Sequence, residues 1–336
     1  MNRFGYDRPS DVAEAVRDGN ARGVRFLAGG SNLVDLMKEN VERPVRVVDI
    51  NRLPLHAIED HDGGLRIGAL ATNSETAWDA RVEAKYPVLA SSILAGASPQ
   101  LRNVATAGGN LNQRTRCLYF YDNTTACNKR EPGTGCSAIG GVNRVNAILG
   151  ASPSCIATHP SDMCVGLAVL NATVNVTGPL GDRTIPFADY HRLPGEDPSR
   201  DNTLKPGELI TSIDLPDEDF SGNYTYLKLR DRLSYAFALV SVAVVMRIEN
   251  GRIAEARIAL GGVAHKPWRS KTAEGLLVGE VPSQSAFLAA AHALLEGAQG
   301  QGANDFKIGL ARRAIVRACR QAADGTPQSQ IDKRVA

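Results

Sequence analysis

Cysteine is the residue type that stands out in this 336-residue chain, because five of its six cysteines fall within 48 residues. They are Cys117, Cys127, Cys136, Cys155 and Cys164, while Cys319 stands alone near the C-terminus. The first four are spaced C-x9-C-x8-C-x18-C, which is not the tight knuckle of zinc fingers or common ferredoxins. In a reducing compartment such clustering reads as metal binding before it reads as disulfides. Three chemistries fit: a four-thiolate iron–sulfur cluster, a structural zinc ion, or a basic solvated loop with incidental thiols. Arg102, Arg114, Arg116, Lys129, Arg130 and Arg144 flank the cysteines and would stabilise a negatively charged cluster. A metal centre would also order a stretch with little apolar content of its own.

Two glycine turns offer a second kind of chemistry. Leu27-Ala28-Gly29-Gly30-Ser31-Asn32-Leu33 lies between a strand pattern and a short helix, where outward-facing amides can cradle a diphosphate. Alone it also fits a tight turn with Ser31 as a helix N-cap. Asn103-Val104-Ala105-Thr106-Ala107-Gly108-Gly109-Asn110 has the same character, and Thr158-His159-Pro160-Ser161-Asp162 is a polar stretch that opens a helix. Three such elements in one predicted domain favour a shared phosphate-rich ligand. Neither turn is the G-x-G-x-x-G fingerprint, so a nicotinamide site is not supported. Six scattered histidines show no HExxH or paired spacing, and no nucleophile–base pair suggests hydrolysis.

The elements that must hold these residues follow from periodicity. Ser10 is a plausible cap for a first helix, and Val24–Ala28, Val45–Ile50 and Leu65–Leu70 read as strands. Thr72–Ala84 and Val88–Ala95 carry helical spacing on either side of Pro87. From Ala97 to Pro160 apolar periodicity fades. So long an irregular stretch inside a compact protein is either functional or disordered. Ala172–Val176 and Glu208–Leu215 are further strands, and the acidic run Pro216–Gly222 is the best boundary. Beyond it, Tyr224–Arg230, Ala236–Ile248 and Ile253–Leu260 read as strands, with Asn250-Gly251 a hairpin turn. Helices at Ser270–Leu277, Ser283–Leu295 and Phe306–Ala323 close an α+β chain. A formal net charge of +2 supplies no basic excess for nucleic-acid binding. No apolar run is long enough to span a membrane, and the N-terminus carries no export signal.

Taken in order, these motifs resemble the FAD-binding medium subunits of molybdenum hydroxylases, related to the FAD domain of xanthine dehydrogenase. The resemblance rests on Phe4-Gly5-Tyr6-Asp7-Arg8-Pro9, the two glycine turns, Ser161-Asp162 before an apolar helix, Glu208-Leu209-Ile210, Tyr226-Leu227-Lys228 and the strand end Ala259–Val263. It covers essentially the whole chain. It implies a two-subdomain FAD-binding domain over 1–216, carrying an insert at 111–160. A C-terminal antiparallel sheet with helices, of the CO dehydrogenase flavoprotein type, would follow over 222–330. It further implies that Leu27, Ala28, Gly29, Gly30, Ser31, Asn32 and Leu33 hold the FAD diphosphate. Thr106, Gly109 and Asn110 would line the other side, Asp162 would bond the cofactor's polar chain, and Ile210 and Lys228 would lie near the flavin ring.

The insert sharpens the resemblance. Asn110 and Asp162 are separated by 51 residues, where simpler members join these motifs almost directly. Cys127-Asn128-Lys129-Arg130-Glu131-Pro132-Gly133-Thr134-Gly135-Cys136 looks like the insert of bacterial molybdenum-dependent aldehyde oxidoreductases, whose FAD subunit also carries a [4Fe–4S] cluster. The resemblance assigns Cys117, Cys127, Cys136 and Cys155 as ligands; Cys164, within the helix after Asp162, is the weaker alternative, and Cys319, in the amphipathic final helix, reads as a core thiol. It implies a large molybdenum-cofactor subunit, a small [2Fe–2S] subunit and an external electron acceptor as partners. Synthesis would be cytoplasmic, with the periplasm reachable by co-export with a signal-bearing small subunit. A flavin subunit of the 4-hydroxybenzoyl-CoA reductase type and a non-catalytic zinc scaffold are the other readings.

Overall fold

Short strand runs at the start of the chain form a small parallel sheet in the computed structural model, which describes residues 1–331. Strands β1 (Gly5–Asp7), β2 (Val24–Leu27) and β3 (Arg46–Asp49) lie in the order β1-β3-β2. Parallel neighbours need crossovers, and the helix Val12–Gly19 makes the one from β1 to β2. That helix is capped by Asp11, which accepts from the Glu14 N–H, and not by the expected Ser10. Ser10 instead gives its N–H and hydroxyl to the Glu14 carboxylate. Ala15, Val16, Val24, Val48 and Ile50 form this subdomain's core.

The second sheet is antiparallel throughout. Strands β4 (Ile58–His61), β5 (Gly64–Gly68), β6 (Thr173–Gly178), β7 (Gly181–Pro186) and β8 (Leu209–Leu215) run in the order β4-β5-β8-β6-β7. Helices Pro87–Ala95 and Asp162–Val169 share its core, where Tyr86, Leu89, Ile93, Met163 and Leu167 are buried. The expected single helix over Thr72–Ala84 is two. Asp79 is extended (φ −67°, ψ 124°), ends Asn73–Trp78, and caps Ala80–Lys85 by accepting from the Arg81 N–H. Local side-chain capping outcompetes one more turn of helix here.

The third sheet, β11-β10-β9, is also antiparallel, with β9 (Tyr224–Leu229), β10 (Val240–Glu249) and β11 (Arg252–Gly261). Asn250 (φ 52°) and Gly251 (φ 73°) supply the positive φ pair of a two-residue hairpin. One face is covered by helices Gln284–Leu294 and Phe306–Ala323, where Cys319 is a fully buried core thiol. The other face sends Tyr226, Ala243, Val245 and Ala259 into the core of the second sheet. Burial on both faces explains why Val240–Met246 reads as an apolar run interrupted only by Ser241, itself buried. β10 begins at Val240 and not at Ala236, and residues 236–239 line a cavity.

Between residues 97 and 160 only three short helices form, Pro99–Arg102, Ala107–Leu111 and Leu118–Tyr121. The rest is turns around a small core of Leu36, Phe120, Ala138, Ile156 and Ala157 together with Cys117, Cys127 and Cys155. Among the described residues, no helix is long and apolar enough to cross a membrane.

Candidate cofactor sites

The two glycine turns are packed against each other. A Cβ on Gly29 would lie 1.8 Å from the Val104 carbonyl oxygen, so only glycine permits the approach. Gly30 next to it has φ +70°, the left-handed conformation that exposes successive amides. Among the described residues, no protein acceptor is paired with the backbone N–H groups of Gly29, Gly30, Ser31, Asn32 or Leu33. The buried Nδ2 of Asn32 is likewise without a partner, while its Oδ1 accepts from the Arg114 N–H at 2.9 Å. The helix Leu33–Lys38 therefore starts without a side-chain cap, and neither Ser31 nor Asn32 caps it. A row of unpaired donors on a left-handed turn is the arrangement that suits phosphate oxygens.

The second turn continues the surface. Thr106 is buried and caps the helix Ala107–Leu111 by accepting from the Gly109 N–H at 3.2 Å. Asn110 accepts through Oδ1 from Ser161 Oγ and, at 3.0 Å, from Gln113 Nε2. Ser161 in turn caps the helix Asp162–Val169. Asp162 then accepts from the Tyr226 hydroxyl at 2.6 Å and from the Lys228 ammonium at 2.7 Å. Lys228 is thus no solvated strand residue: its side chain is 2% exposed, and its Nζ also donates to the Ala95 carbonyl at 3.1 Å. Burial first, and the Asp162 carboxylate second, push the Tyr226 phenol well above its usual range.

Asp162 also borders a cavity of about 340 Å³, walled by His159, Pro160, Ser161, Arg232, residues 236–239 and Gly262 among others. Volumes of this order suit part of a large cofactor. His159 lines it with Nε2 unpaired, and burial holds its imidazole well below the usual histidine range. Ile210 is placed differently. It is buried in β8 opposite Val176, inside the sheet core, and does not line this cavity.

The four assigned cysteines, far apart in sequence, line one small cavity together with Thr115, Phe120 and Lys129. Cys127 and Cys136 face each other across an antiparallel bridge, and Cys155 closes a tight turn with Ser152. Polar N–H groups approach the sulfurs: Asn146 Nδ2 lies 3.5 Å from Cys117 Sγ, and the Ala157 amide lies 3.4 Å from Cys155 Sγ. Cys164 is not part of this cavity. It is fully buried beside His159 and His191, with the three potential ligand atoms within 4.8 Å of one another.

The insert is tied to the rest of the chain by Arg114 and Lys129, two of the cations read beside the cysteines, through buried acidic partners that motif reading did not single out. Arg114 pairs with Glu42 at 2.6 Å and with Asp201 at 2.7 Å. Asp201 pairs also with Lys129, and the two cations hold its carboxyl well below the usual range against the opposing effect of burial. Asp201 and His265 come from segments with no motif, so their role was visible only in three dimensions. Tyr226 was more accessible, since it precedes Lys228 by two residues and therefore shares its face of β9.

The chain that carries this glycine-turn surface and cysteine-walled insert belongs to the FAD-binding subunits of the molybdenum hydroxylase family. The family profile described as FAD binding domain in molybdopterin dehydrogenase matches residues 2–218. That described as CO dehydrogenase flavoprotein C-terminal domain matches residues 224–322. The chain is 47% identical to the aldehyde oxidoreductase FAD-binding subunit PaoB of Escherichia coli (strain K12), over 94% of this chain and 96% of the relative. It is 28% identical to the carbon monoxide dehydrogenase medium chain of Afipia carboxidovorans, with the same coverage. A solved structure of reconstituted CO dehydrogenase from Oligotropha carboxidovorans superposes with a TM-score of 0.76 at 26% identity, covering 96% of this chain and 98% of the other.

Proposed function

We propose that this chain is the FAD- and [4Fe–4S]-bearing electron-transfer subunit of a molybdenum-dependent aldehyde oxidoreductase. It would stand between a large molybdenum-cofactor subunit with its small [2Fe–2S] partner and an external acceptor. When bound, FAD supplies the ability to accept electrons singly and release them in pairs. The chain's own residues do the holding. The unpaired amides of Gly29–Leu33 and the free Nδ2 of Asn32 would bind the diphosphate. Thr106, Gly109 and Asn110 would continue that wall, and Asp162, fixed by Tyr226 and Lys228, would present its remaining lone pairs to the polar chain of the cofactor. The Lys228 charge, retained in a buried pair, would favour a reduced flavin nearby.

The observation that carries the cluster is the convergence of Cys117, Cys127, Cys136 and Cys155 on one cavity. Four thiols around one cavity, with N–H groups directed at Cys117 Sγ and Cys155 Sγ, suit the sulfurs of a cubane cluster. The likeness to the aldehyde oxidoreductase subunit supports aldehyde as the substrate of the complex. A 4-hydroxybenzoyl-CoA reductase-like role would run electrons the other way, which makes direction the thing to test. Anaerobic addition of an aldehyde to the purified complex should bleach the flavin absorbance. A flavin that stays oxidised under turnover amounts of aldehyde contradicts the proposed role.

A further inference from the structure

Six basic residues surround the cysteines in sequence, and five of them place their charge elsewhere. Arg114 meets Glu42 and Asp201, Arg116 meets Asp35, and Arg144 meets Asp231. Arg130 donates to the carbonyls of Tyr119 and Phe120, and Arg102 to that of Gly96. Lys129 alone of the six lines the cavity on which the four cysteines converge. Its side chain is 1% exposed, so water screens its charge poorly.

The ammonium is held from the far side. Its Nζ donates to Asp201 Oδ1 at 2.6 Å and to the Pro198 carbonyl at 2.7 Å. His265 Nε2 lies 2.6 Å away, with its Nδ1 against the Arg192 carbonyl at 2.7 Å, an arrangement that leaves Nε2 to accept from Lys129. Asp201 does not border the cavity, and its second oxygen is taken by Arg114. Of this buried pair, Lys129 borders the cysteine cavity and Asp201 does not.

We propose that Lys129 is the residue that sets the redox poise of the cysteine-bound cluster, with Asp201 positioning its charge. This rests on the reading that the four cysteines hold a [4Fe–4S] core. Four thiolates give such a core a net negative charge, and reduction adds another. A buried cation at its wall stabilises the more negative state and raises the reduction potential. A carboxylate behind that cation opposes it, more weakly because it lies farther off.

The two partners are separable by sign. In an EPR-monitored redox titration of the purified complex, Lys129→Gln should move the cluster midpoint to lower potential. Asp201→Asn should move it to higher potential, and the flavin midpoint should stay in place in both. An unshifted cluster midpoint in an iron-replete Lys129→Gln complex overturns the proposal. If that variant fails to assemble, Asp201→Asn decides alone, and a fall or no shift overturns it. Absence of iron from the unmutated complex would instead overturn the cluster reading, and this inference with it.

Discussion

At the scale of single residues, the chemistry of this subunit depends on charges that are buried and paired. Asp162 and Lys228 form an ion pair whose side chains are 7% and 2% exposed, with the Tyr226 hydroxyl as a third member. Removing one partner of such a pair leaves the other uncompensated, at a cost of about 3–5 kcal/mol. Asp162→Ala should therefore lower the unfolding temperature of the isolated subunit clearly, whereas Asp162→Ala combined with Lys228→Met should recover part of the loss. Equal destabilisation by the single and double changes would mean that the pair is not coupled. The same residues illustrate why local sequence is an incomplete guide. A lysine in an alternating strand reads as solvent-facing, and only the packing of the third sheet onto the helix Asp162–Val169 removes it from water.

At the scale of elements, each glycine turn is useful because of the other. Gly29 is needed first for contact with the Val104 backbone, and through that contact the two turns become one surface. Gly29→Ala should push them apart and release FAD, seen as loss of the flavin absorbance with secondary structure retained by circular dichroism. Retention of stoichiometric FAD would show that the turns do not form one binding surface. The α+β order, the hairpin at Asn250-Gly251 and the closing helices were legible from periodicity, because each depends on local pattern. Helix caps were less so. Asp11 and Asp79 won over Ser10 and over helix continuation through single hydrogen bonds that periodicity does not register. The edge strands β4 and β7 were missed, since their exposed residues carry little apolar signal.

At the scale of the whole molecule, the cysteine insert is no appendage. Its own core includes Leu36 of the first subdomain, Arg114 bonds the first glycine turn at Asn32, and Lys129 reaches Asp201 and His265. The convergence of the four cysteines follows from these long-range ties, which is why spacing alone left cluster, zinc and free thiols open. The central claim is that this subunit carries a [4Fe–4S] cluster beside its FAD. It is tested most directly by flavin, iron and acid-labile sulfide analysis of anaerobically purified protein. The account predicts one FAD with about four irons and four sulfides per chain. FAD with no iron after anaerobic reconstitution, or zinc in its place, would contradict it.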